Sequence, residues 1–296
     1  MTLETDSWKL LAGPFDLGSE DISVQVSPVS YTLATLDQNS LDREVRQSIK
    51  KRWVAAHSAN PRIFPGLKFR LTEHPKTANG VDNLASRLTL LLSMHVTDYG
   101  IFVATNSAAR QDASFVDYLK AKGREFFHND GAYFGNPVGN VAAVESSDNR
   151  IVLIKRPDDV HQYPGWYDTP GGHAEPGEHT YDAEGQFQAM VDELTEETTV
   201  PSGAVEEARL MGVMADNKNF GKPDLLFQLR VDVPSSEIQL NREVAALETL
   251  ARDELFDRLK EGRMQLVPAS QGLFAAYFSL QEGYDVTELF GLRTNS

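Results

Sequence analysis

Residues 171–200 read GGHAEPGEHTYDAEGQFQAMVDELTEETTV, a Gly-Gly turn among acids followed by a helix whose far end carries Glu193, Glu196 and Glu197. Ala183, Phe187, Met190, Val191 and Leu194 recur at helical spacing and make one apolar stripe. The three glutamates fall off that stripe and reach solvent or a cleft together. Carboxylates at i, i+3 and i+4 repel by roughly 0.2–0.5 kcal/mol per pair, so a helix that concentrates them usually has a cation to satisfy, Mg²⁺ being the obvious candidate. The bland alternative is a solvated acidic face, the commonest meaning of such a charge run. The upstream loop shifts the balance: GWYDTPGGHAEPGE holds four glycines and two prolines in fourteen residues that include Asp168, His173, Glu175 and Glu178. A loop of that kind feeding a carboxylate helix builds a shaped polar pocket. Mg²⁺ needs only one or two carboxylates beside substrate phosphates and water. So held, it neutralises a diphosphate, activates water and stabilises a leaving phosphate, which pyrophosphate hydrolysis requires.

Outward from this stretch, GNVAAVESSDNRIVLIKR reads as strand, polar turn and strand. Downstream, RLMGVMADN, PDLLFQLRVDV and REVAALETL read as strands, and DELFDRLKEG and GLFAAYFSLQEG as helices. In the first half, SPVSYTLATLDQNS reads as a short strand and a loop. Leu41, Val45, Ile49, Trp53 and Val54 then lie on one face of a helix capped by Ser40 or Asp42. LKFRLTEH and ASRLTLLLSMHV read as two strands joined by a PKTANGVDN turn, the second apolar enough to be central in a sheet. DYGIFVATN reads as another strand and DASFVDYLKAKG as a helix ending at Gly123. This order is mixed α/β, with a soft boundary near residue 138 between an N-terminal α/β region (1–138) and a second domain (139–296).

With 296 residues and 41% apolar content the chain is globular, and the absence of cysteine leaves the chemistry to carboxylates, His and hydroxyls. A formal charge of −15 argues against nucleic acid as a partner. No apolar run is long enough to span a bilayer, and the N-terminus lacks a signal-peptide pattern, so a soluble cytoplasmic protein is the expectation.

These residues resemble the Nudix box: Gly, five residues, Glu, seven residues, then Arg-Glu-apolar-X-Glu-Glu-X-Gly-apolar. Gly172 and Glu178 match the first half; Glu193, Leu194, Glu196, Glu197 and Val200 match the second. The departures are thirteen residues between Glu178 and Asp192 instead of seven, Asp192 in the Arg position and Thr199 in the final Gly position. Glu184 sits at the seven-residue spacing. A long box without Arg, behind an N-terminal region of this size, looks like the UDP-glucose pyrophosphatase branch of the superfamily. IFPGLKFRL, TDYGIFVATN, GAYFGNPVGNVAAV, IKRPDDV and WYDTPGGHAEP agree.

The resemblance implies a Nudix α/β/α sandwich with an added N-terminal α/β region. It implies Mg²⁺-dependent splitting of UDP-glucose or UDP-galactose into UMP and sugar 1-phosphate, with Mn²⁺ as the other candidate ion. Carried over residue by residue, Glu193 and Glu197 are the metal ligands, with Glu196 binding a second ion or acting as general base. Arg156 meets the diphosphate, a charge its guanidinium fork suits. Asp168, His173 and Glu175 hydrogen-bond sugar or ribose hydroxyls, and Phe64 and Tyr99 clasp the uracil. Glu243 is a further carboxylate near the metal cluster. Two rivals stand: another nucleoside diphosphate derivative such as ADP-ribose as substrate, or a catalytically silent domain that binds the nucleotide sugar.

Overall fold

The computed structural model describes residues 2–38, 42–79, 88–158, 163–241 and 246–295. The N-terminal elements are β1 (Thr2–Glu4), β2 (Trp8–Ala12), β3 (Ile22–Tyr31), α1 (Arg43–Ala59), β4 (Leu67–Leu71), β5 (Lys76–Asn79), β6 (Leu88–Asp98), α2 (Tyr99–Phe102) and α3 (Ala113–Phe127). There follow β7 (Gly139–Glu145), β8 (Arg150–Lys155), β9 (Tyr167–Asp168), β10 (Gly171–Gly172), α4 (Ala183–Glu197), β11 (Val205–Asp216), β12 (Lys222–Val231), β13 (Ala246–Ala251), α5 (Arg252–Lys260), α6 (Pro268–Ser279) and β14 (Arg293–Asn295).

Ten strands form one sheet, ordered β13-β8-β7-β12-β11-β2-β1-β14, with β10 on β7 and β9 on β8. The β7–β12 pair is parallel, and β7 is buried along its whole length. A parallel strand covered on both faces reads as the continuous apolar run seen here. Its residues alternate between two cores. Val141 and Ala143 join α5 and α6, while Ala142 and Val144 join Phe187, Ala189, Met190 and Leu194 of α4. The second core also holds Phe69, Leu90, Leu92 and Met94 of the smaller sheet β3-β6-β4, to which β5 adds on β6. The chain is thus an α/β/α sandwich with an extra α/β region packed over the face that carries α4. Each fully buried aliphatic side chain there contributes about 1.5–3 kcal/mol.

The apolar stripe of α4 is buried at Ala183, Phe187, Met190 and Leu194. Asp182 caps the helix, accepting the Gly185 N–H at 3.0 Å, and Thr198 ends it by returning its hydroxyl to the Leu194 carbonyl at 2.7 Å. β6 is central in its sheet, as its composition indicated.

Four expectations are corrected. Within PKTANGVDN, Lys76–Asn79 is not a turn but the strand β5, paired antiparallel with β6. DYGIFVATN is helical: α2 runs into a π-helical turn at Val103–Ser107. Asp98 starts it by accepting the Ile101 N–H at 2.7 Å, and Ile101 and Ala104 pack against α1. A short apolar run buried all round has no period to separate helix from strand. The next helix continues past Gly123 to Phe127, because the residue that leaves helical geometry is His128, at a φ of 53°. Val54 is 56% exposed, while Val45 and Ile49 alone among the described residues of that stripe reach full burial. Leu41 and Ser40 lie outside the described residues. β1 and β2 pair into the ten-stranded sheet through β11 and β14, so residues 2–12 join the sheet of the second half of the chain. Among the described residues no helix is long and apolar enough to cross a membrane.

Candidate active site

The Gly-Gly turn is pressed between β7 and α4, and both contacts require the missing side chains. Gly171 and Gly172 pair with Val141 and Asn140 across the strand. A Cβ on Gly171 would meet the Asn140 carbonyl, and one on Gly172 would overlap the Glu193 carboxylate. The amides of the turn then point at the helix. Gly171 N–H donates to Glu197 Oε2 at 3.1 Å and His173 N–H to Glu193 Oε1 at 2.9 Å. Glu193 and Glu197 are therefore half-buried and held against the loop, whereas Glu196 is exposed.

Burial raises the Glu197 carboxyl to about 8, with the charges of Glu193, Asp168 and Glu196 adding to the rise and the Gly171 amide opposing it. Burial likewise raises Glu193; the His173 amide and Lys68 oppose, and Glu196 and Glu175 add to it. Acids that gather where each resists ionising form a donor set short of positive charge, and hard oxygen donors of this kind fit a divalent cation. Among the described residues no three His, Cys, Asp or Glu side chains converge as a ready metal cluster. The expected set of three glutamates is not brought together, because Glu193 and Glu197 are tied to loop amides and Glu196 turns outward.

The other sequence-selected residues divide around His173, which borders two cavities. One, of about 430 Å³, is lined by Arg156, Asp168, Gly172 and Glu197 among others. Arg156 Nη1 donates to Asp168 Oδ2 at 2.9 Å, and Asp168 Oδ1 accepts the Ser270 hydroxyl at 2.9 Å and the Thr169 N–H at 2.9 Å. The second cavity, of about 290 Å³, is lined by Phe64, Lys68 and Tyr99. Phe64 is 68% exposed and Tyr99 half-buried. His173 itself carries a ring whose pKa is held well below its ordinary value by burial and by Lys222 and Lys68, so it is neutral at pH 7. Its Nε2 is buried without a hydrogen-bond partner. Glu175 faces neither cavity; it is ion-paired to Lys68 on β4, which fastens the loop to the smaller sheet. Glu243 lies outside the described residues.

The inserted segment of the box has its own clasp. His179 Nδ1 accepts the Glu175 N–H at 3.1 Å, which leaves the proton on Nε2 to meet Asp192 Oδ2 at 3.2 Å. Asp192, standing where the box pattern has Arg, also accepts Gln188 Nε2 at 2.8 Å. The ion pair that an Arg would make is replaced by a His–Asp contact that closes the longer loop onto the helix.

Sequence reasoning missed Lys68, Asn140, Asn219, Lys222 and Asp224. The last two and Asn140 are polar residues at the starts of mainly apolar strands, GNVAAVE and KPDLLFQLRV, a signal visible only once those strand ends are known to meet.

Residues 136–269 match the NUDIX domain. The chain is 26% identical to the uridine diphosphate glucose pyrophosphatase NUDT22 of Mus musculus over 283 residues, 88% of this chain and 86% of that one. It is 26% identical to Nudix hydrolase 9 of Arabidopsis thaliana over 280 residues, 83% of each chain. A NUDIX hydrolase structure from Alicyclobacillus acidocaldarius superposes with a TM-score of 0.39 at 14% identity, covering 47% of this chain and 90% of that one. Nudix hydrolases use divalent metal ions and act on small nucleotide derivatives. With its box at residues 172–200 inside the matched region, the chain carries a NUDIX domain.

Proposed function

We propose that this enzyme hydrolyses the diphosphate of a UDP-sugar, UDP-glucose or UDP-galactose, with Mg²⁺, giving UMP and the sugar 1-phosphate. One observation carries the reading: the half-buried pair Glu193 and Glu197 is held by the turn around His173, the residue that borders both cavities. A substrate with a base at one end, a second polar group at the other and a diphosphate between them matches that layout. The mouse relative is named for UDP-glucose.

Glu193 and Glu197 would hold the ion, which when bound neutralises the diphosphate and lowers the pKa of an attacking water. The protein's own groups do the rest. The Gly171 and His173 amides fix the two carboxylates, so little reorganisation remains at the moment of reaction. Arg156, oriented by Asp168, borders the cavity and supplies a charge for the diphosphate. Glu196, exposed beside the pair, would take a proton from water. Phe64 and Tyr99 offer ring faces to a uracil, and the neutral His173 ring one donor and one acceptor nitrogen.

The test is product analysis with UDP-glucose, UDP-galactose and ADP-ribose, each with Mg²⁺, run beside Glu197→Gln. UMP and hexose 1-phosphate form with the native enzyme and fall by about 10²-fold or more in the variant. Faster cleavage of ADP-ribose overturns the substrate; undiminished activity in Glu197→Gln overturns the metal assignment.

A further inference from the structure

We propose that the larger cavity is the hexose subsite, where Asn140, Asn219, Lys222 and Asp224 read sugar hydroxyls. This rests on the UDP-sugar reading above and assigns the end of the substrate that none of the box residues addresses.

Asn140 carries the inference. It is 1% exposed, borders the cavity, and both its side-chain oxygen and nitrogen lack a hydrogen-bond partner. A buried carboxamide left unmade costs about 1–3 kcal/mol for each unsatisfied group, so packing alone is a poor reason for Asn between two sheet neighbours, Gly172 and Leu225. Asn219, on the same cavity, has a buried Oδ1 without a partner. Its backbone is pinned: its N–H donates to Asp216 Oδ1 at 3.1 Å and its carbonyl accepts Asn106 Nδ2 at 3.0 Å. That side chain is therefore presented from a fixed support. Lys222 and Asp224 pair at 2.5 Å and lie over Gly139, where a Cβ would overlap both. The bare glycine lets the pair sit at the strand end beside Asn140.

The chemistry of this set suits a polyol. Hydroxyls donate and accept at once, and they meet here carboxamides that do both, carboxylates that accept and cations that donate. Asp216 and Asp224 on the cavity wall are set against Lys222 and Arg110, so the far end has no excess positive charge to draw a phosphate. His173 borders both cavities. A substrate with its base by Phe64 and Tyr99 and its hexose by Asn140 therefore carries its diphosphate past Glu193 and Glu197.

The experiment compares kcat/KM for UDP-glucose with kcat/KM for the methyl ester of UDP, which keeps the diphosphate diester and lacks the hexose. It is run with the native enzyme, Asn140→Ala, Lys222→Met and Asn219→Ala, each checked by circular dichroism. The ratio of the two constants falls by about tenfold or more in each folded variant, as expected where a site built to bond hydroxyls loses a partner. Asn219→Ala, outside the sheet, carries the same expectation if Asn140→Ala does not fold. Native hydrolysis of UDP-glucose with a ratio that stays at the native value in the folded variants overturns the subsite and leaves the function standing. A native enzyme that cleaves neither compound overturns the function, and the subsite with it.

Discussion

The N–H of His173 donates to Glu193 Oε1 at 2.9 Å, across a Gly172 whose missing Cβ is what lets that carboxylate come so close. The turn and the helix are thus one device: the loop supplies amides, the helix supplies carboxylates, and each fixes the other.

Gly172→Ala should therefore injure catalysis more than folding. A methyl at that position displaces the Glu193 carboxylate, and a displacement on the order of 1 Å in a metal-binding group costs about 10²-fold in rate. Steady-state kcat with a Mg²⁺ titration checks this: kcat falls by about that factor and half-saturation moves to higher Mg²⁺. A native-like kcat would mean that Glu193 does not need this placement.

The raised Glu197 carboxyl gives a pH dependence of definite sign. Unfolded, the group releases its proton near 4.5; folded, near 8, so between these values the folded metal-free protein binds more protons than the unfolded chain. This contribution to stability is complete below the lower value and is lost as pH rises through the upper one. Divalent ions compete with that proton. Thermal melts should show metal-free Tm falling from about pH 5 to about pH 8, and the Tm gain from Mg²⁺ growing over the same span. Glu197→Gln flattens both trends; a native slope that persists in the variant assigns it to other groups.

His179 positions the loop, acting through Glu175 and Asp192. Removing the ring in His179→Ala deletes two hydrogen bonds, one to a partly exposed carboxylate that contributes little. Stability should drop by about 1 kcal/mol, or about 2 °C in Tm for a chain of this size, with KM rising more than kcat falls as the loop loosens. His179→Gln, able to donate to Asp192, should recover part of the KM. Equal loss in both variants would point to the acceptor for the Glu175 N–H as the part that matters.

Much of this molecule is legible in one dimension because its period is local. The stripe Ala183, Phe187, Met190 and Leu194 marks the helix and the face it buries, and the alternating turn and strand signals mark β7, β8, β11 and β12. The run from Tyr99 to Ser107 was not legible: its helical form rests on Asp98 as a cap and on burial against α1, a contact between segments some fifty residues apart. Nor was the sheet position of residues 2–12, whose partners are β11 and β14 near the far end of the chain.

From sequence alone came the box itself: Gly-Gly before an amphipathic helix with three glutamates at its end, a spacing that specifies chemistry because helical geometry sets which side chains share a face. Tertiary structure alone decided which of those glutamates are held and which is not. Glu193 and Glu197 meet loop amides and lose water, while Glu196, one position before Glu197, turns to solvent. It alone brought Asn140, Asn219, Lys222 and Asp224 to the same cavity as Asp168. Burial and long-range strand pairing do that, and neither leaves a periodic mark along the chain.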